Sequence, residues 1–129
     1  VTPNLCEAEA LSGIKVRDPE SMAKAARIIS ALGPKAVLIK GGHAEGDTVT
    51  DMLVTATFTQ AYTSPRIHSH HTHGTGCALA SAIATYLGQG VPLPFAVEKA
   101  RDYVTRAIAA APGLGKGHGP LGHGWVLNL

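Results

Sequence analysis

The residues best suited to chemistry in this chain lie in a few short segments, and Gly74-Thr75-Gly76-Cys77 is the sharpest of them. It opens a stretch of helical composition, Gly76 to Leu87. The free N–H groups at a helix N-terminus, with the positive end of its dipole, form an anion site, and glycines let a phosphate come close to the backbone. A tight turn into a buried helix uses the same letters, so by itself the segment is either an anion site or a turn. Leu79 stands where a dinucleotide fingerprint needs its third glycine, and Gly113-Leu114-Gly115-Lys116 lacks the spacing and the Ser or Thr of a Walker loop.

Three further groups of residues invite a role. Lys40 follows the apolar run Ala36 to Ile39, at the end of a strand where α/β proteins bind ligands. Its ammonium could neutralise charge on a transferring phosphate, although an exposed lysine after a strand is ordinary. Asn4 and Glu7 have the types and spacing of a helix cap with a first-turn acid. His68, His70, His71 and His73 could ligate a metal, His71 sharing one face of an extended segment with His73. No Cys, Asp or Glu pattern elsewhere completes a familiar transition-metal set.

Positioning these residues requires a frame of helices and strands. Asp18-Pro19-Glu20 starts a helix, because Asp caps free N–H groups and Pro suits the first turn. Met22, Ala25, Ala26, Ile29 and Leu32 recur on one face of that helix, and Gly33-Pro34 stops it. Ala36 to Ile39 reads as a strand buried on both faces. Thr48 to Thr55 and Thr57 to Tyr62 read as two strands or a hairpin. The helix from Gly76 to Leu87 is apolar almost all round and is expected to be buried. A last helix, about Pro94 to Ala111, puts Val97, Ala100, Val104, Ala107, Ile108 and Ala111 on one face, with Asp102 and Arg106 able to pair on the other. Gly113 to Gly124 is loop-like. The helices offer more apolar surface than so few strands can cover, so the chain reads as half of a domain.

Composition narrows the partners. With 129 residues, 45% hydrophobic and 16% charged, the chain is of ordinary globular make-up. A formal net charge of +2, without a run of Lys or Arg, leaves no electrostatic footprint for nucleic acid or a membrane surface. The longest uncharged stretch, Ile67 to Val97, is broken by Gly and Pro and makes a poor membrane span. Cys6 and Cys77 follow no metal or disulfide spacing, so a reduced, cytoplasmic protein is expected. Val1-Thr2-Pro3 reads as the tail of a strand already under way.

Four motifs occur in a fixed order: Thr2-Pro3-Asn4-Leu5 with Glu7, Lys40-Gly41-Gly42-His43, His71-Thr72-His73-Gly74-Thr75-Gly76-Cys77, and Gly117-His118-Gly119-Pro120. Together they resemble the hydroxymethylpyrimidine/phosphomethylpyrimidine kinases of thiamine biosynthesis, in the ribokinase superfamily. The resemblance covers essentially the whole chain but only the C-terminal half of the family's usual length. It implies an α/β fold, the C-terminal half of a ribokinase-like domain with a central, mostly parallel sheet flanked by helices. Residues 1–129 would be the ATP- and phosphate-binding part of that domain, with the N-terminal half absent and this chain alone inactive and marginally stable.

The resemblance further implies ATP and Mg²⁺ as cofactors, with Asn4 and Glu7 helping to hold the metal through water, as suits an ion that keeps several waters. Lys40, Thr75 and Gly76 would contact phosphate. Most of the superfamily is similar in carrying an Asp where this chain has Cys77; the pyrimidine kinases carry Cys there. At a helix N-terminus such a thiol could accept a proton or hydrogen bond from the substrate hydroxyl. A weak base suffices, since phosphoryl transfer depends mostly on positioning and charge stabilisation. A small thiol packing the turn is the plainer role. The implied substrate is a small hydroxymethylpyrimidine and then its monophosphate, and the implied assembly is a homodimer. A pyridoxine or pyridoxal kinase is the alternative within the enzyme class. A non-catalytic nucleotide- or pyrimidine-binding fragment is the alternative outside it.

Overall fold

The computed structural model describes residues 1–42, 46–70, 72 and 74–127. They form two compact units, Val1–Arg66 and Ile67–Leu129, each described here by itself.

In the first unit, α1 (Leu5–Ser12) and α2 (Pro19–Ser30) precede β1 (Ala36–Ile39), β2 (Thr48–Thr55) and β3 (Thr59–Pro65). Asp18 caps α2 as expected: its side chain accepts the Ser21 N–H at 2.7 Å, and Ser21 Oγ accepts the Asp18 N–H at 3.0 Å. Met22, Ala25, Ala26 and Ile29 are buried and pack with Ala8 and Val16 against Val37, Ile39, Met52 and Val54. Each large apolar side chain hidden this way contributes roughly 1.5–3 kcal/mol. Leu32, expected on the same face, is 66% exposed. The helix ends at Ser30, and the Leu32 N–H turns back to the Ile29 carbonyl at 2.9 Å, which swings Leu32 off the buried stripe.

β1 is hidden on both faces, with Val37, Leu38 and Ile39 each at most 2% exposed. The three strands run in the order β1-β2-β3, and both pairings are antiparallel. The expectation of a mostly parallel sheet is therefore corrected for these strands. Ala56-Thr57-Phe58 alone joins β2 to β3, whereas a parallel return needs a crossover of about a dozen residues or more. Thr57 belongs to that turn, because Thr55 Oγ1 accepts the Thr57 and Phe58 N–H groups at 3.3 and 3.2 Å.

Parallel pairing does occur along Val1 to Asn4. Val1 donates to the Ala36 carbonyl at 3.0 Å and accepts from the Leu38 N–H at 2.9 Å. Pro3 accepts from the Lys40 N–H at 2.9 Å but has no N–H to return, so the ladder is incomplete there. The crossover between these parallel segments is α1 and α2.

In the second unit, α3 (Thr75–Gly88) packs against α4 (Leu93–Ala109). The α4 stripe forms as expected, with Val97, Ala100, Val104 and Ala107 buried and Ala96 beside them; Ile108 and Ala111 are only partly covered. Arg106 and Asp102 pair at 3.0 Å on the wet side. For α3 the expectation of burial all round fails. Leu79 and Ile83 are buried, but Cys77, Ser81, Ala84 and Leu87 are exposed, since α4 covers one side. After α4 the chain returns: Leu121 is buried, and the Gly122 N–H bonds the Ala107 carbonyl at 2.8 Å. A short 3₁₀ turn, His123–Leu127, follows, and its Trp125 lies under the Arg106 guanidinium at 5.1 Å.

Candidate functional site

The first unit gathers Asn4, Glu7 and Lys40. Asn4 is the N-cap of α1 in a reciprocal capping box: Glu7 donates its N–H to Asn4 Oδ1 at 2.8 Å, and Glu7 Oε2 accepts the Asn4 N–H at 2.7 Å. The plain reading of these two residues as a cap is thus realised. The cap uses one carboxylate oxygen, and Glu7 Oε1 and the second lone pair of Asn4 Oδ1 remain for a metal-bound water. The donor set fits a water-mediated Mg²⁺ site.

Asn4 also makes a parallel bridge with Lys40. The start of α1 and the end of β1 therefore lie side by side, at the C-terminal ends of two adjacent parallel segments. That is the edge where α/β proteins bind ligands. The Lys40 ammonium has no ion-pair partner among the described residues.

Two residues missed in the sequence hold the loop that follows Lys40. Asp51, in the middle of β2 and 5% exposed, accepts the Gly41 N–H on Oδ1 at 2.8 Å. Arg66 donates from Nη1 to the Gly42 carbonyl at 2.6 Å and from Nε to the Gly46 carbonyl at 2.7 Å. The available signal was a lone carboxylate beside the apolar run Met52-Leu53-Val54. Gly41 itself is required by space, because a Cβ there would lie 1.9 Å from the Thr50 carbonyl oxygen. His43, in the same motif, lies outside the described residues.

The second unit holds the glycine loop. Gly74 is the N-cap of α3 in the left-handed region, φ 83° and ψ 6°, which explains glycine at this position. It offers no side-chain cap; the Thr75 N–H turns back to the Thr72 carbonyl at 3.3 Å, while the Gly76 and Cys77 N–H groups have no partner among the described residues. Thr75 Oγ1 donates to the Thr72 carbonyl at 2.6 Å, which turns the hydroxyl back onto the preceding loop. Cys77 stands in the first turn as an exposed free thiol. Unpaired N–H groups at a helix start suit an anion, and a thiol beside them has the chemistry of a weak acid–base group.

His118, of the last motif, places Nδ1 3.2 Å from the His70 carbonyl, tying the tail to the segment that leads into the loop. His71 and His73 lie outside the described residues, and among those described no group of three or more His, Cys, Asp or Glu could hold a metal. No helix among the described residues is long and apolar enough to cross a membrane.

Known proteins match this frame. The chain is 51% identical over 123 residues to the thiamine biosynthesis bifunctional protein ThiED of Geobacter sulfurreducens, covering 95% of this chain and 25% of that protein. It is 48% identical over 127 residues to the hydroxymethylpyrimidine/phosphomethylpyrimidine kinase of Streptomyces coelicolor, covering 98% of this chain and 47% of that one. Among solved structures, the pyridoxal kinase of Staphylococcus aureus in complex with AMP-PCP superposes with a TM-score of 0.91 at 36% identity, over 96% of this chain and 46% of that chain. The chain thus spans about half the length of these two kinases. The α/β, ribokinase-like fold class is established by that likeness, the antiparallel order of the three strands notwithstanding. The phosphomethylpyrimidine kinase family model matches residues 1–122, nearly the full length described above, and the chain belongs to that family.

Proposed function

We propose that the intact protein transfers the γ-phosphoryl group of ATP to 4-amino-5-hydroxymethyl-2-methylpyrimidine and then to its monophosphate, in thiamine biosynthesis. The observation that carries this reading is the start of α3. A left-handed glycine without a side-chain cap leaves the Gly76 and Cys77 N–H groups unpaired among the described residues, with the exposed Cys77 thiol in the same turn, in a chain of the phosphomethylpyrimidine kinase family. In this reading the backbone of Gly74, Thr75 and Gly76 binds phosphate, and Lys40 neutralises charge on the transferring group. Cys77 accepts the hydrogen bond or proton of the substrate hydroxymethyl group. Asn4 and Glu7 hold Mg²⁺ through water, and the ion supplies charge neutralisation when bound.

The experiment is Cys77→Ala in the intact protein. Turnover is expected to fall about 10²-fold or more, as for loss of a general acid–base group, with the KM for ATP nearly unchanged. Unchanged turnover removes Cys77 from the chemistry.

A pyridoxal kinase is the second reading, supported by the likeness to the Staphylococcus aureus enzyme. The remaining proposals are coarser. Residues 1–129 form the C-terminal, ATP-binding part of one ribokinase-like domain, which fits the exposure of Leu11, Leu87 and Phe95. This part alone is inactive. The intact protein is cytoplasmic, consistent with two free thiols, and a homodimer by its resemblance to the family.

A further inference from the structure

We propose that Asp51 is a positioning residue for Lys40, acting through the Gly41 backbone, with Arg66 fixing the far side of the same loop. This rests on the reading of Lys40 as a phosphate contact. Asp51 is the one charged residue buried among the described residues, at 5% exposed, and the three residues after it in β2 are apolar and buried. A hidden carboxylate costs free energy unless it is hydrogen-bonded, and an apolar side chain would serve packing alone better. Its acceptor is spent on a loop: Oδ1 takes the Gly41 N–H at 2.8 Å.

That bond completes a set of restraints around Lys40. On one side the Lys40 N–H is held by the Pro3 carbonyl at 2.9 Å. On the next residue, the Thr50 carbonyl lies so close that Gly41 cannot carry a Cβ. The register of β1 and β2 ends at Ile39 opposite Met52, and one further step sets Lys40 opposite Asp51. Beyond it, Arg66 donates to the Gly42 and Gly46 carbonyls at 2.6 and 2.7 Å, and its own N–H bonds the Asp47 carbonyl at 2.7 Å. The backbone is thus held at Lys40, Gly41, Gly42 and Gly46 while the Lys40 ammonium is left unpaired among the described residues. Preorganised charge of this kind stabilises a transferring phosphate best when its support is rigid.

The test is a double-mutant cycle on the intact kinase, read in kcat and in the KM for ATP. Asp51→Asn keeps shape and an acceptor oxygen but loses the charge-assisted bond, and kcat/KM is expected to fall roughly 3- to 30-fold, as for a displaced catalytic charge. In a Lys40→Met background the same substitution is expected to change kcat/KM less than about 2-fold, since interacting sites are not additive. If the two losses multiply, or if Asp51→Asn alone has no effect, Asp51 does not act through Lys40 and the proposal fails. If Lys40→Met is silent, the phosphate reading of Lys40 fails first and takes this proposal with it. Should Asp51→Asn not fold, Arg66→Lys, which loosens the same loop from its exposed side, enters the cycle with the same expected outcomes.

Discussion

Gly41 and Gly42 are adjacent and look equivalent in the sequence, yet the structure predicts opposite consequences for an added methyl group. A Cβ on Gly41 would sit 1.9 Å from the Thr50 carbonyl oxygen and 3.0 Å from its carbon, both backbone atoms that cannot rotate away. A Cβ on Gly42 meets nothing within 4 Å. Gly41→Ala must therefore push β1 from β2 or break the Gly41–Asp51 bond. Overpacking costs about 1–3 kcal/mol, and stranding a buried N–H costs about 1–3 kcal/mol more. The total, about 2–6 kcal/mol, is a large part of the stability of an ordinary domain. With a urea dependence of about 2 kcal/mol per molar, the unfolding midpoint of the intact protein should drop by roughly 1–3 M. Gly42→Ala should stay within about 0.5 kcal/mol of the parent. Urea unfolding of the two variants side by side checks this. Equal damage at both positions, or a silent Gly41→Ala, would refute the reasoning.

Two other outcomes follow from the first unit. Asn4→Ala removes the α1 cap and should lower stability by about 1 kcal/mol, while Asn4→Asp, an equally good cap, should be close to neutral by thermal unfolding. Glu9 lies below its ordinary value of 4.5, first through the Val16 N–H and then through the Lys15 ammonium, and Asp18 lies below 3.8 through the backbone N–H and hydroxyl of Ser21. Both folded values are depressed, so both carboxylates stabilise the fold above their ordinary values and lose that contribution as pH falls through the folded ones. Glu9→Gln should therefore flatten the acid limb of a stability–pH curve below about pH 4.5, leaving it unchanged in shape at neutral pH.

Local signals in the sequence translated well. Asp18-Pro19, the run Ala36 to Ile39 and the stripe from Val97 to Ala107 each encode an element in neighbouring residues, and each forms. What depends on distant partners was not legible. That Asn4 lies beside Lys40 follows from a parallel bridge across two helices, and no spacing reveals it. Asp51 looked like one polar residue among strand residues, because its partner is a backbone N–H ten positions earlier. The apolar sequence of α3 suggested burial on all sides, but a composition cannot say which neighbours are present, and α4 covers one face. Antiparallel pairing of β2 was set by the short connections on either side of it, which the fold class did not foretell.

The most direct test of the proposed activity supplies the intact protein with ATP and Mg²⁺ and offers it, in separate reactions, hydroxymethylpyrimidine, its monophosphate and pyridoxal. Mass spectrometry then reads the products. Two successive phosphate additions on the pyrimidine, with ADP formed in step and both slowed but still measurable in Lys40→Met, are the predicted result. Phosphorylation of pyridoxal alone, or of none of the three, would contradict it.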